Sequence, residues 1–161
     1  MSVLRRRPVA LGCLAGLSLG AVAAALVTQH GFDMQPCPWC VLQRLIFVGI
    51  AGVALLDLAW RNAAGQMFTA VLLLGLSLCG VAAALWQHFV AAASSSCNLT
   101  LAERIIAALR LDAVLPEIFQ ARASCADAAV KLWGLPYEFW SLALFMLMAV
   151  WALRLLLNPS R

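Results

Sequence analysis

Four apolar stretches, at residues 9–27, 41–60, 67–87 and 139–157, limit what this chain can become. Each is long enough for a helix to cross about 30 Å of hydrocarbon, a distance that takes roughly 20 residues. Inside lipid an isolated strand would leave its backbone N–H and C=O groups unpaired, so the spans have to be helical. Composition points the same way, since 65% of the 161 residues are hydrophobic and 11% are charged. A soluble domain carries about 25% charged residues, and disorder requires low hydrophobicity with high charge. The sequence therefore predicts an all-α integral membrane protein. It would form a single four-transmembrane-helix bundle over residues 1–161, with connecting loops near residues 28–40 and 88–138. Arg44, Asp57 and Arg154 are the ionic exceptions, and all lie near span ends, where long side chains reach the interface. The formal charge of +4 comes from ten Arg and one Lys, too few to build a basic surface, which argues against nucleic acid as a partner.

The placement of those cations sets the expected orientation, because Lys and Arg near span ends collect on the cytoplasmic side. Arg5, Arg6 and Arg7 precede the first span, Arg61 follows the second, and Arg154 and Arg161 close the chain. The first loop has no Lys or Arg; the second carries Arg104, Arg110, Arg122 and Lys131, balanced by Glu103, Asp112, Glu117 and Asp127. Both termini are thus expected in the cytoplasm and both loops on the exported face. Arg5 to Arg7, the apolar run and Ala23-Ala24-Ala25 have the outline of a cleavable secretory leader. The run, however, exceeds the roughly 7–15 residues of a leader core. Gly12, Gly16 and Gly20 also recur at a spacing of four, which puts them on one helix face suited to close packing. Retention as a membrane helix is expected.

The cysteines fall into two groups. Cys13 and Cys79 lie inside spans, where a thiol stays protonated and inert, so both are expected to be packing residues. Cys37, Cys40, Cys97 and Cys125 fall in the two loops assigned to the exported side, and an oxidising compartment is where disulfides persist. Cys37-Pro38-Trp39-Cys40 is a C-x-x-C unit at the start of a span. Pro38 suits the first helical position, which puts Cys40 in the first turn, where free N–H groups and the helix dipole favour a thiolate. Arg44 lies four residues on, on the same face and one turn deeper. It either snorkels to headgroups or holds a thiolate or a reduced oxyanion at the top of the span. Ser124 before Cys125 and Asp127 after it form a helix start signal, which would put Cys125 in a first turn. Cys97, in Ser94-Ser95-Ser96-Cys97-Asn98, is open to attack by another protein. Thr100-Leu101-Ala102-Glu103 has the form of a capping box. The stripe Leu99, Ala102, Ile105, Ile106 and Leu109 then predicts a short interfacial amphipathic helix lying on the membrane surface.

On these residues alone three uses of the four loop cysteines stay open: a tetrahedral zinc site, two static bridges, or a relay in which one disulfide oxidises the other. Metal sites usually gather C-x-x-C pairs or add histidine, and the second pair here is widely spaced. Haem attachment needs histidine where Val41 stands. The small ring of a C-x-x-C marks an exchangeable bond. The alternative of a different class is a metal-binding membrane protein, a transporter or a sensor.

Pro36-Cys37-Pro38-Trp39-Cys40-Val41-Leu42-Gln43-Arg44 resembles the P-C-x-x-C-x-x-Q-R signature that opens the second span in the bacterial disulfide bond formation protein B (DsbB) family. Four spans, a second cysteine pair in a long second loop, and Cys125-Ala126 followed by Trp133-Gly134-Leu135-Pro136 are similar as well. The resemblance implies a disulfide-generating oxidoreductase of the bacterial inner membrane. It would reoxidise a periplasmic DsbA-like thioredoxin-fold protein and pass the electrons to ubiquinone or menaquinone, with no metal. It also implies two redox-active pairs, Cys37 with Cys40 and Cys97 with Cys125. Cys97 would be the sulfur attacked by the partner, Cys125 would communicate with Cys37, and Cys40 would be the thiolate that meets the quinone. By the same resemblance Arg44 stabilises the quinol oxyanion, His88 occupies a position near the quinone and Gln43 helps frame the site.

The remaining polar residues have plainer expectations. Asp57 and Arg61 are spaced as an i,i+4 ion pair. Trp60, Trp86, Trp133, Tyr137 and Trp140 suit interfacial anchors. His30 and Asp33 read as solvated loop residues, and Glu138 suits the positive end of the helix it opens.

Overall fold

The computed structural model describes residues 7–59, 62–92, 100–128, 130–132 and 134–158. Four long helices carry the fold: α1 (Arg7–Gly31), α2 (Pro38–Ala59), α3 (Ala63–Trp86) and α7 (Tyr137–Leu157). All four are long and apolar enough to cross a membrane, and the chain is an all-α four-span membrane protein. Between α3 and α7 come α4 (Leu101–Ala108), α5 (Leu111–Val114), α6 (Pro116–Phe119) and the two-residue strands β1 (Lys131–Leu132) and β2 (Leu135–Pro136).

Helix ends follow local chemistry. α2 begins at Pro38, whose fixed φ and missing N–H suit a first helical position. The Cys37 carbonyl accepts the first intrahelical bond, from the Val41 N–H at 3.0 Å, and its sulfur accepts the Cys40 N–H at 3.3 Å. Cys37 thus serves as the N-cap that Ser or Asp more often provides. Asn62 caps α3, its Oδ1 accepting from the Gly65 N–H at 2.6 Å. At the far end of α3 the backbone widens into a π-helical turn, Gln87–Ala91, a distortion that frequently occurs at functional sites.

The bundle packs in chain order, α1 on α2, α2 on α3 and α3 on α7. Phe47 stacks on Phe145 with ring centroids 4.1 Å apart. Phe145 also lies against Gly80 of α3, where any Cβ would overlap the ring; glycine is what permits that approach. On α1 the buried face is Leu11, Leu14, Ala15, Ser18 and Val22. Gly12, Gly16 and Gly20 do share a face, but nothing lies within 4 Å of a Cβ built on any of them, so their stripe is not the packed one. Cys13 and Cys79 are exposed as well rather than packed within the bundle. In lipid, apolarity does not separate an inner from an outer helix face, so spacing alone could not place either feature.

At the end of the bundle away from the C-x-x-C, Asp57 pairs with Arg7. Its Oδ2 accepts from Arg7 at 2.6 Å, with the two side chains 0% and 9% exposed; Arg61 lies outside the described residues. The same Arg7 guanidinium donates to the Gln66 carbonyl at 2.6 Å and the Leu155 carbonyl at 3.5 Å. One side chain therefore ties α1 to the other three long helices. Trp86 and Trp140 are exposed near span ends, as anchors should be; Trp60 and Trp133 lie outside the described residues.

The expected capping box is present: Thr100 Oγ1 accepts the Glu103 N–H at 3.3 Å and the Glu103 carboxylate accepts the Thr100 N–H at 2.6 Å. The apolar stripe of α4 is divided, however. Ala102 and Ile106 are buried, and Ile106 joins Val41 and Phe119 in a small cluster at the start of α2. Leu101 and Leu109 remain exposed. The buried side of the helix docks on α2; Leu99 lies outside the described residues. Ser124 caps one turn only, accepting the Asp127 N–H at 3.2 Å; the backbone does not continue as a helix around Cys125. A short antiparallel ladder follows, Leu132 opposite Leu135, with Gly134 at a φ of +82°, and hands the chain to α7.

Candidate functional site

Cys37, Cys40 and Cys125 come together where α2 begins. The Cys37 and Cys40 sulfurs are 2.7 Å apart, and the Cys125 thiol interacts with Cys37. The segment before Cys125 is held in place by the Arg122 N–H, which donates to the Pro36 carbonyl at 2.9 Å. Cys37 and Cys125 are both buried. The thiol of Cys37 is pushed far above the ordinary thiol range, first by its hydrogen bond with Cys125, then by Cys40 and by burial. Cys125 is held below that range, chiefly because Cys37 donates to it. Cys97 lies outside the described residues.

Cys40 opens onto a cavity of about 240 Å³ bounded by α1, α2, the end of α3 and α7. Much of its wall is apolar, including Ala21, Ala24, Ala25, Phe47, Trp140 and Leu144. Its polar groups include Gln43, Arg44, Gln87, Tyr137 and Glu138. An apolar hollow with a few convergent polar groups is the usual form of a small-molecule site.

Arg44 does not snorkel. It is 5% exposed and donates to Gln29 Oε1 at 2.7 Å, the Ile118 carbonyl at 3.0 Å and the Ala25 carbonyl at 3.3 Å. All three acceptors are neutral. A buried cation held by dipoles alone keeps its charge unneutralised, and this one shares a cavity wall with Cys40. Gln43 is buried and donates to Gln87 Oε1 at 2.7 Å, and Gln87 donates to the Cys40 sulfur at 3.3 Å. His88 is not in the cavity wall; its Nδ1 lies 2.7 Å from Oε1 of Glu138, which is. Among the described residues, no three His, Cys, Asp or Glu side chains are grouped as a metal ion would require.

A family model described as "Disulfide bond formation protein DsbB" matches residues 6–155. The chain belongs to the DsbB family. Curated proteins named "Disulfide bond formation protein B" agree with this. The one from Herminiimonas arsenicoxydans is 33% identical over 148 residues, 91% of this chain and 92% of that protein. The Aromatoleum aromaticum protein is 32% identical over 154 residues, 93% of this chain and 92% of its own. The Pseudomonas syringae pv. tomato protein is 30% identical over 148 residues, covering 91% and 88%. This DsbB-family chain is thus a multi-pass bacterial membrane protein of disulfide formation, and family membership makes it a disulfide-forming oxidoreductase.

Sequence reasoning missed Gln29 and Gln87, and it gave Glu138 a lesser place than it holds. Gln29 and Gln87 are both buried, 3% exposed or less; Gln87 closes an apolar span, and that anomaly was the available signal, whereas Gln29 falls in the expected first loop and carried none. Glu138 suits the positive end of the helix it opens, and it is also 5% exposed and bonded to His88.

Proposed function

We propose that this protein oxidises a DsbA-like thioredoxin-fold protein on the exported side of the inner membrane and delivers the electrons to membrane ubiquinone or menaquinone. The observation that carries this reading is the order of sulfurs. Cys37 touches both Cys40 and Cys125, and Cys40 alone of the three lines the cavity. Electrons entering at the Cys97 and Cys125 pair can therefore pass through Cys37 and emerge at Cys40, against an apolar hollow of a size for a ring. In this reading the partner's thiolate attacks Cys97, and the freed Cys125 thiolate attacks Cys37. Cys40 leaves as a thiolate steadied by the Gln87 amide and the Arg44 charge. A quinone in the cavity would accept the electron pair. Lipid would supply the quinone and water the partner, and a thiol in the first turn of a span serves both.

The experiment is quinone reduction by the purified protein with reduced DsbA-like protein, together with trapping by a partner lacking its second cysteine. Ubiquinone-1 should be consumed, and the mixed disulfide should map to Cys97. Capture at Cys37 would reverse the relay, and bound zinc on reduced thiols with no quinone reduction would replace it with metal binding.

Arg44→Ala separates the two half-reactions. A hydrogen bond to a charged group contributes about 1.5–3 kcal/mol, so the KM for ubiquinone-1 should rise about tenfold or more. Thiol exchange with the partner should be little changed. Equal losses in both would mark Arg44 as a folding residue that anchors Gln29 and α6.

A further inference from the structure

The unabsorbed feature of the site is Glu138, a buried acid on the cavity wall with one oxygen engaged and the other idle. Its Oε1 meets His88 Nδ1 at 2.7 Å, whereas Oε2 is buried with no hydrogen-bond partner. An unsatisfied buried oxygen costs about 1–3 kcal/mol, more if charged, so a simple ion pair is a poor account of it. His88 extends from this acid toward the outside: its side chain is 32% exposed. Its ring is fixed between Phe89 and Phe139, with centroids 4.9 Å and 4.8 Å away. The two residues thus join the cavity wall to the exterior through one carboxyl and one imidazole.

We propose that Glu138 and His88 are a proton relay, with Glu138 Oε2 the atom that protonates a quinone as Cys40 reduces it. This rests on the quinone reading above. Of the other ionisable groups on the cavity wall, Arg44 does not release its proton in a protein. The Tyr137 hydroxyl is shared with Thr28 at 3.4 Å, and the Cys40 sulfur is the electron donor. Glu138 is the remaining acid, and its partner His88 is a titratable group that is itself partly exposed. Forming the disulfide from the Cys37 thiol and the Cys40 thiolate releases two electrons and one proton. A bound quinone would need both electrons and two protons. The relay supplies those two in turn: Glu138 gives a proton from Oε2, regains one at Oε1 from His88 and turns its carboxyl to present it at Oε2, and His88 is refilled from water. The proton from Cys37 leaves to water, so one net proton is consumed per disulfide made.

The test uses the full chain in detergent, with ubiquinone-1 as the probe and dithiothreitol as the electron source. Glu138→Gln and His88→Gln should both still bind ubiquinone-1, read from quenching of tryptophan emission. Glu138→Gln should slow ubiquinone-1 reduction about a hundredfold, the scale of a lost general acid. In the quinone-free protein it should also delete an infrared carboxyl C=O band that shifts in heavy water. His88→Gln should slow reduction less, and added imidazole should restore the rate. A native rate in Glu138→Gln, persistence of the band, or loss of affinity with the rate unchanged overturns the relay alone. Failure of the native protein to bind ubiquinone-1 overturns the quinone reading and the relay with it.

Discussion

Cys40→Ser is expected to abolish quinone reduction, by about 10⁴-fold or more, the scale on which enzymes lose activity when the reacting nucleophile is removed. A serine hydroxyl does not ionise at neutral pH and forms no bond to sulfur that could be exchanged, so neither electron transfer to the cavity nor closure of the C-x-x-C ring survives. Exchange of the partner with the Cys97 and Cys125 pair should persist for one turnover, because that step does not use Cys40. The variant should therefore oxidise one equivalent of reduced partner through the Cys97 and Cys125 pair and then stop, with Cys37, Cys97 and Cys125 left as thiols, detectable by alkylation and peptide mapping. Cys13→Ser and Cys79→Ser should behave as the native protein, since both thiols are exposed and removed from the site. Partner oxidation at a native rate in Cys40→Ser would show that the C-x-x-C is structural.

What the amino-acid order made legible was local. Pro38 fixed the start of α2 and hence the depth of Cys40 in its first turn; Thr100 and Glu103 fixed the start of α4. These depend on contacts within one turn, and spacing describes such contacts completely. Arg44 was legible as a site candidate for the same reason, lying one turn from Cys40, but its three acceptors come from α1 and α6. The Gln43, Gln87 and Cys40 chain and the Glu138 contact with His88 join residues of different helices, and nothing in helical periodicity pairs them. The glycine stripe of α1 marks the complementary failure: a spacing of four names a face without naming what the face meets. The strands β1 and β2 are two residues each, too short for an alternating pattern.

The same contrast between local and distant pairing decides the second large effect, at Asp57. An i,i+4 partner would have made an exposed pair contributing about 0.3–0.5 kcal/mol. The actual partner, Arg7, is 50 residues away and buried with it, and losing one member of a buried pair strands the other at about 3–5 kcal/mol. Asp57→Ala should therefore shift the folding equilibrium by about 150- to 4,000-fold, measured by unfolding in mixed detergent with increasing dodecyl sulfate. Asp57→Asn, which keeps an acceptor oxygen for Arg7, should lose less. Replacing both members, Arg7→Met with Asp57→Leu, removes the stranded charge and should recover much of the loss, since apolar substitutes for buried pairs are often neutral or better. A double variant no more stable than Asp57→Ala would mean the two charges are not energetically coupled. Because Arg7 also holds the Gln66 and Leu155 carbonyls, the pair clamps all four long helices at the end away from Cys40. Variants that still fold should accordingly keep their cysteine chemistry while losing stability, which separates the framework of this protein from its reaction.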